Sequence, residues 1–234
     1  HGGTDMKTKR VFYTELAYLL GILTLTLGTA LMERADFGMS MVVAPAYILH
    51  LKLSQIFPWY SFGVSEYVLQ AVVLTATCLV MGRFKRGYLF SFVTAVIYGT
   101  VLDLVLALIA LVPGSGLLFR IACYLLGMFF CAAGVAMLFH TYIAPEAYEL
   151  FVKELAGKYH KDIGRVKTVY DCCSCLAGIV LSFAFFGFGH FEGVKLGTVV
   201  CALVNGTLVG LLGKWLERAF CFKDGLKLRR FMEA

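Results

Sequence analysis

Predominantly apolar runs, each near the ~20 residues needed to cross the hydrocarbon core of a bilayer, recur along this chain with only short polar stretches between them. A soluble fold could not bury so many such runs together. Composition agrees: charged residues make up 15% and hydrophobic residues 60% of the 234 positions, where about a quarter charged is usual for a soluble domain. The runs are continuous and do not alternate apolar with polar residues, so helices are expected and a membrane β-barrel is not.

The expected spans are Val11–Leu31, Tyr60–Met81, Leu89–Leu111, Leu117–Phe139, Cys172–Phe188 and Leu196–Leu212. His1–Asp5 reads as an expression remnant before a natural start at Met6, and no cleavable signal peptide is expected after it. Lys and Arg set the orientation. They gather in the N-terminal arm (Lys7, Lys9, Arg10), the second loop (Arg83, Lys85, Arg86), the fourth loop (Lys153 to Lys167) and the C-terminal end from Lys214 to Arg230. Arg34, Lys52, Arg120 and Lys195 remain for the other side. This alternation predicts six crossings in a bacterial cytoplasmic membrane with both termini cytoplasmic. It also accounts for the net charge of +6, so nucleic acid is not an expected partner, whereas anionic lipid is.

The chain repeats itself. Tyr18-Leu19-Leu20-Gly21 recurs as Tyr124-Leu125-Leu126-Gly127, and at the same offset Gly28 matches Gly134 and Ala30 matches Ala136. Glu66 falls on Asp171 and Gly82 on Gly187. Val93, Ala95, Gly99, Thr100 and Leu104 match Val200, Ala202, Gly206, Thr207 and Leu211. The predicted organisation is one all-α membrane domain of two three-helix repeats, residues 6–112 and 113–234. Three spans per repeat turn the second upside down, the inverted build of many secondary transporters, whose sites lie near the midplane. Both halves place a long connection after their first span. Pro145 to Gly157 reads as a short amphipathic helix, on the interface or folded back into the protein; Met41–Leu53, interrupted by Pro45, is too short to cross and reads as re-entrant or interfacial.

Gly28-Thr29-Ala30-Leu31 running into Ala35-Asp36-Phe37-Gly38-Met39-Ser40, together with Tyr98-Gly99-Thr100-Val101-Leu102-Asp103, resembles the YczE-like and YitT-like bacterial membrane proteins over about Tyr18 to Leu212. The resemblance implies a fold and a membrane more than an activity. His140-Thr141-Tyr142-Ile143-Ala144-Pro145 departs from the first-half pattern.

Polar residues at membrane depth are costly and mark function. Asp103, inside the third span, is the foremost candidate for binding a substrate or ion. Glu66 and Asp171 open the second and fifth spans near opposite faces and are candidates as two entrance guards of one path. Gln70 and Asn205 are further binding candidates, with interhelical hydrogen bonding as their plainer role; His140 and Glu15 sit near span ends. The span cores carry acids but no Lys or Arg, so an acid at depth is expected to be protonated, hydrated or paired with a bound cation. That favours proton coupling or a small polar or cationic solute. Cys172-Cys173-Ser174-Cys175 has no matching His or Cys pair, so no metal is expected, and nothing points to a cofactor. No G-x-S-x-G, H-E-x-x-H or phosphate loop is present, so no enzyme is expected. A small-solute secondary transporter or permease is the leading expectation; a non-transporting accessory protein of a larger complex is the alternative.

Overall fold

The computed structural model describes residues 10–38, 40–60, 62–189 and 194–226. The expectations for His1–Asp5, Lys7, Lys9, Met39, Lys227, Arg229 and Arg230 fall outside the described residues.

In chain order the elements are β1 (Arg10–Tyr13), α1 (Thr14–Ala35), α2 (Ala44–Leu53), α3 (Phe62–Met81), a 3-10 turn (Arg86–Leu89), α4 (Phe90–Ala110), α5 (Leu117–Phe139), α6 (Ala147–Lys158), α7 (Ile163–Phe186), α8 (Leu196–Ala219) and β2 (Phe220–Lys223). Among the described residues six helices are long and apolar enough to cross a membrane: α1, α3, α4, α5, α7 and α8. In hydrocarbon every backbone N–H and C=O must be satisfied within the segment, which is why these apolar runs are helical.

α1 and α5 form the centre. Half of each apolar window is buried, 50% in both, against 11% in α4, which is therefore the outermost helix. The central pair approaches to backbone contact because glycine faces glycine. A Cβ added at Gly28 would lie 2.7 Å from the Gly127 carbonyl oxygen, and one at Gly127 would lie 2.8 Å from that of Gly28. Gly134 and Gly21 meet in the same way one turn pair further along, with 2.8 Å from a Gly134 Cβ to the Gly21 oxygen. Around this pair, α4 packs on α1 and α8 on α5; α2 packs on α3 and α7, and α6 on α7 and α3. α7 runs along α8, whereas α3 and α4 make no comparable contact.

Three boundaries differ from expectation for a physical reason. The fifth span begins at Ile163, well before Cys172, because Asp162 caps it: its carboxylate accepts from the Arg165 N–H at 3.1 Å. Polar residues of the expected fourth loop, including Lys167, are thereby drawn into the helix. Pro45 sits in the first turn of α2 and starts that helix, where its missing N–H costs nothing. The first span begins at Thr14, because Arg10–Tyr13 instead pair in parallel with Phe220–Lys223. That pairing puts the start of α1 and the end of α8 on one face, as an even number of crossings requires. Beyond β2 the chain is tied to α1: the Glu15 carboxylate accepts from the N–H groups of Gly225 and Leu226, at 3.0 and 2.8 Å, and from the Tyr142 hydroxyl at 2.8 Å.

Candidate functional site at mid-depth

α6 decides where the polar groups meet. Its C-terminal Lys158 ammonium donates to the Val80 carbonyl at the end of α3, while Tyr148 in its first turn reaches back to Glu66 near the start of α3. It is thus a half-helix, folded back into the protein, whose N-terminus lies at depth. That N-terminus carries Glu146, Tyr148 and Glu149.

Lys167 is the hub. Its ammonium donates to Glu149 Oε1 at 2.7 Å and to Asp171 Oδ1 at 2.8 Å, and only 1% of its side chain is exposed. Asn205 Nδ2 donates to the other Asp171 oxygen at 3.3 Å. At 1.5 Å per residue, Asp171 lies roughly 12 Å along α7 and Asn205 roughly 13 Å along the antiparallel α8, so they meet near the middle of a ~30 Å hydrocarbon layer. On the α3 side Gln70, 2% exposed, donates from Nε2 to Glu66 Oε1 at 3.4 Å, and the Tyr148 hydroxyl lies beside Glu66 without a formed hydrogen bond. Tyr98 of α4, hydrogen-bonded to Thr29 at 2.8 Å, adds a hydroxyl near Glu66 and Glu146.

The cluster therefore joins α3, α4, α6, α7 and α8. Burial pushes the Glu146 carboxyl well above the usual range; the neighbouring carboxylates of Glu66 and Glu149 push the same way, and Lys167 opposes them.

Four sequence candidates, Glu66, Gln70, Asp171 and Asn205, converge here. Asp103 does not: it is exposed on the outward side of α4, apart from the cluster, because α4 turns little but its first turns toward the core. The expected absence of Lys and Arg from the span cores is also overturned, since Lys167 is buried between two acids. Glu66 and Asp171, expected near opposite faces, both face the first turn of α6. Sequence reasoning missed Lys167, Glu146 and Glu149. The available signal was the spacing of Lys167 and Asp171, four apart on one helix face at the edge of an apolar run. His140 stacks on Phe222 with ring centroids 4.7 Å apart and meets Glu217 at 3.3 Å, at the face that carries the chain ends.

A cavity opens toward each face. The one at the chain ends has a volume of about 310 Å³ and is lined by Lys85, Tyr88, Tyr142, Lys153 and Glu154 among others. Above it, Thr94 donates to the Ala144 carbonyl at 2.7 Å and meets the Tyr18 hydroxyl at 2.9 Å. The opposite cavity, about 280 Å³, is lined by Asp36, Phe37, Tyr124, Lys195 and Gly197. There Lys195 and Arg120 both bind Asp36, at 2.7 and 3.3 Å, and hold its carboxyl below the usual range. Among the described residues no group of three His, Cys, Asp or Glu side chains is placed to hold a metal ion. All eight cysteines are free thiols.

These features define a multi-pass α-helical membrane protein with charged groups gathered at mid-depth between two oppositely facing cavities. The chain belongs to a family of unknown function, DUF6198, whose profile matches residues 12–214. No curated protein and no solved structure matches it.

Proposed function

We propose that the protein is a secondary transporter or permease for a small polar or cationic solute, with the mid-depth cluster as its solute or coupling-ion site. One observation carries this reading: charged groups are held where the helices of both halves meet, with Lys167, Asp171 and Glu149 buried. A membrane protein that merely packs against a partner has no need of a buried Lys held between two acids, because each buried charge is costly. Glu66 and Gln70 come from the first half, and Glu149, Lys167, Asp171 and Asn205 from the second.

The halves also exchange contacts as an inverted repeat would. Swapping repeat-equivalent residues turns the Gly21–Gly134 contact into Gly127–Gly28. The α1–α4 packing becomes α5–α8, and α2 on α7 becomes α6 on α3. Tyr98 falls on Asn205 at the offset that matches Gly99 to Gly206. The cavities correspond as well: Asp36 and Lys195 of one fall on Tyr142 and Tyr88 of the other. The exception is α7–α8, which pack closely where α3 and α4 do not. Alternating opening of two related vestibules onto one site is the motion such a build supports.

The test is flux. Purified protein in liposomes, under an imposed pH gradient, is expected to move at least one member of a panel of small amines and polar solutes. Asp171→Asn and Glu66→Gln, folded as judged by gel filtration, are expected to cut that flux tenfold or more. Inertness of the wild type toward the whole panel would move the assignment to an accessory protein.

The proposed orientation places both chain ends in the cytoplasm of a bacterium. Arg83, Lys85, Arg86, Lys158, Lys161, Arg165 and Lys223 favour it, against Arg34, Lys52, Arg120 and Lys195 opposite. In a background without reactive thiols, a cysteine at position 52 is expected to react with an impermeant reagent in whole cells, and one at position 223 only after lysis. The reverse pattern would invert the assignment.

A further inference from the structure

Two regions of the cluster face the same problem and solve it differently. On the α7 side, two carboxylates share one ammonium: Lys167 lies between Glu149 and Asp171 with bonds of 2.7 and 2.8 Å. On the α3 side, Glu66 and Glu146 lie near each other, and among the described residues no ammonium is in hydrogen-bond contact with either. Glu66 is the repeat counterpart of Asp171, and at the same offset Lys167 corresponds to Phe62. The second half supplies a cation at this locus and the first half does not.

Aside from Glu149 Oε2 and Asn205 Oδ1 on the α7 side, the unsatisfied atoms around Glu66 have one chemical character. Glu66 Oε2, Gln70 Oε1, Glu146 Oε1 and the Tyr148 hydroxyl are buried and have no hydrogen-bond partner. Gln70 and Tyr148 are each 2% exposed, and both side chains are turned toward Glu66. An amide oxygen and ionised carboxylate oxygens only accept; the tyrosine hydroxyl, and a carboxyl that holds a proton, can also donate. Leaving such acceptors dry is expensive, and more so for a charged group. A group that donates several hydrogen bonds and carries positive charge satisfies all of them. An anion would meet repulsion from both carboxylates, and a cation such as tetramethylammonium, which neither donates hydrogen bonds nor coordinates oxygen closely, would leave the acceptors unpaired.

We propose that Glu66, Glu146, Gln70 and Tyr148 form a binding site for a monovalent cation that donates hydrogen bonds, an ammonium or guanidinium group, in the place that Lys167 fills on the other side of the cluster. The proposal rests on reading the cluster as the solute site and names the class of solute. Protons compete for the same oxygens. Glu146 faces Glu66 from α3, Glu149 from its own helix, Lys167 from α7 and the Tyr98 hydroxyl from α4, and its burial beside two carboxylates favours the protonated form. Cation binding then releases protons, and affinity rises with pH.

The probes are methylammonium and guanidinium, with tetramethylammonium as a cation that has no N–H donor. Binding is measured on the purified full chain by calorimetry and by thermal shift at millimolar ligand, between pH 6 and 8. Methylammonium or guanidinium is expected to bind saturably, at least tenfold more tightly than tetramethylammonium, with affinity rising up to tenfold per pH unit. Glu66→Gln and Glu146→Gln each are expected to weaken binding tenfold or more; both replace a buried acid by its neutral isostere, and their unfolding temperatures report whether they fold. Tyr148→Phe keeps both acids and is expected to weaken binding several-fold. Equal binding of the three cations, or unchanged binding in folded Glu66→Gln and Glu146→Gln, overturns the proposal. Binding as expected without flux in liposomes keeps this site and removes the transporter reading. Flux of an amine that Glu66→Gln and Glu146→Gln leave unchanged does the opposite.

Discussion

Lys167→Met is expected to destabilise the protein by about 3–5 kcal/mol, the cost of removing one partner from a buried ionic cluster. The reason is local. The Lys167 ammonium satisfies one oxygen of Glu149 and one of Asp171, and neither acid has another positive group in contact. Without it two buried carboxylates are left to repel each other, and folding must be accompanied by proton uptake. Met conserves most of the volume, so packing contributes little to the loss. The triple variant Lys167→Met, Glu149→Gln, Asp171→Asn is expected to recover most of the stability, because replacing a whole buried ionic cluster by neutral groups of similar size is often close to neutral. Thermal unfolding in detergent, read by tryptophan fluorescence or light scattering, compares the three proteins. If Lys167→Met alone melts with the wild type, the two acids are already protonated and the cluster is not ionic.

Gly28→Leu is expected to cost at or above the upper end of the ~1–3 kcal/mol usual for overpacking, and to separate the central helices. A Cβ at Gly28 would stand 2.4 Å from the Cys131 backbone nitrogen and 2.7 Å from the Gly127 carbonyl oxygen. Because the obstructing atoms belong to the main chain, no rotamer change relieves the contact; α1 and α5 must move apart as rigid bodies. Lipid is as apolar as leucine, so the new side chain gains little hydrophobic free energy in return. Gly99→Ala is the comparison. A Cβ there meets nothing within 4 Å, and alanine favours the helix by up to about 1 kcal/mol, so that variant is expected to match or exceed the wild type. Unfolding temperatures of the two variants should diverge in opposite directions. A Gly28→Leu protein as stable as the wild type would mean that α1 and α5 do not cross in this way.

Much of the site was already legible as residue types. Glu66, Gln70, Asp171 and Asn205 stand out in the chain because polar side chains within apolar runs are rare, and all four reach the cluster. Asp103 stands out for the same reason and does not, because depth along a helix says nothing about which way the helix faces. The faint periodicity of α4 could not show that its later turns look outward. Lys167 was misread for the converse reason. A basic residue beside an apolar run counts as loop by composition, and only the Asp162 cap, starting α7 at Ile163, takes it inside.

The sequence by itself determined the medium, the number of crossings and the places where backbones approach. Twenty-residue apolar runs have one stable use, and glycine at Gly28 and Gly134 leaves room that no other residue leaves. Only the tertiary structure decided which polar groups meet. Glu66 and Asp171 are far apart in the chain and belong to different helices, and the short α6, packed between α3 and α7, places Glu146 and Glu149 among them. Local propensity fixes a helix and its ends, because it acts within a few residues. The pairing of charges across a membrane depends on how five helices rotate and fold back on one another, and no local rule carries that information.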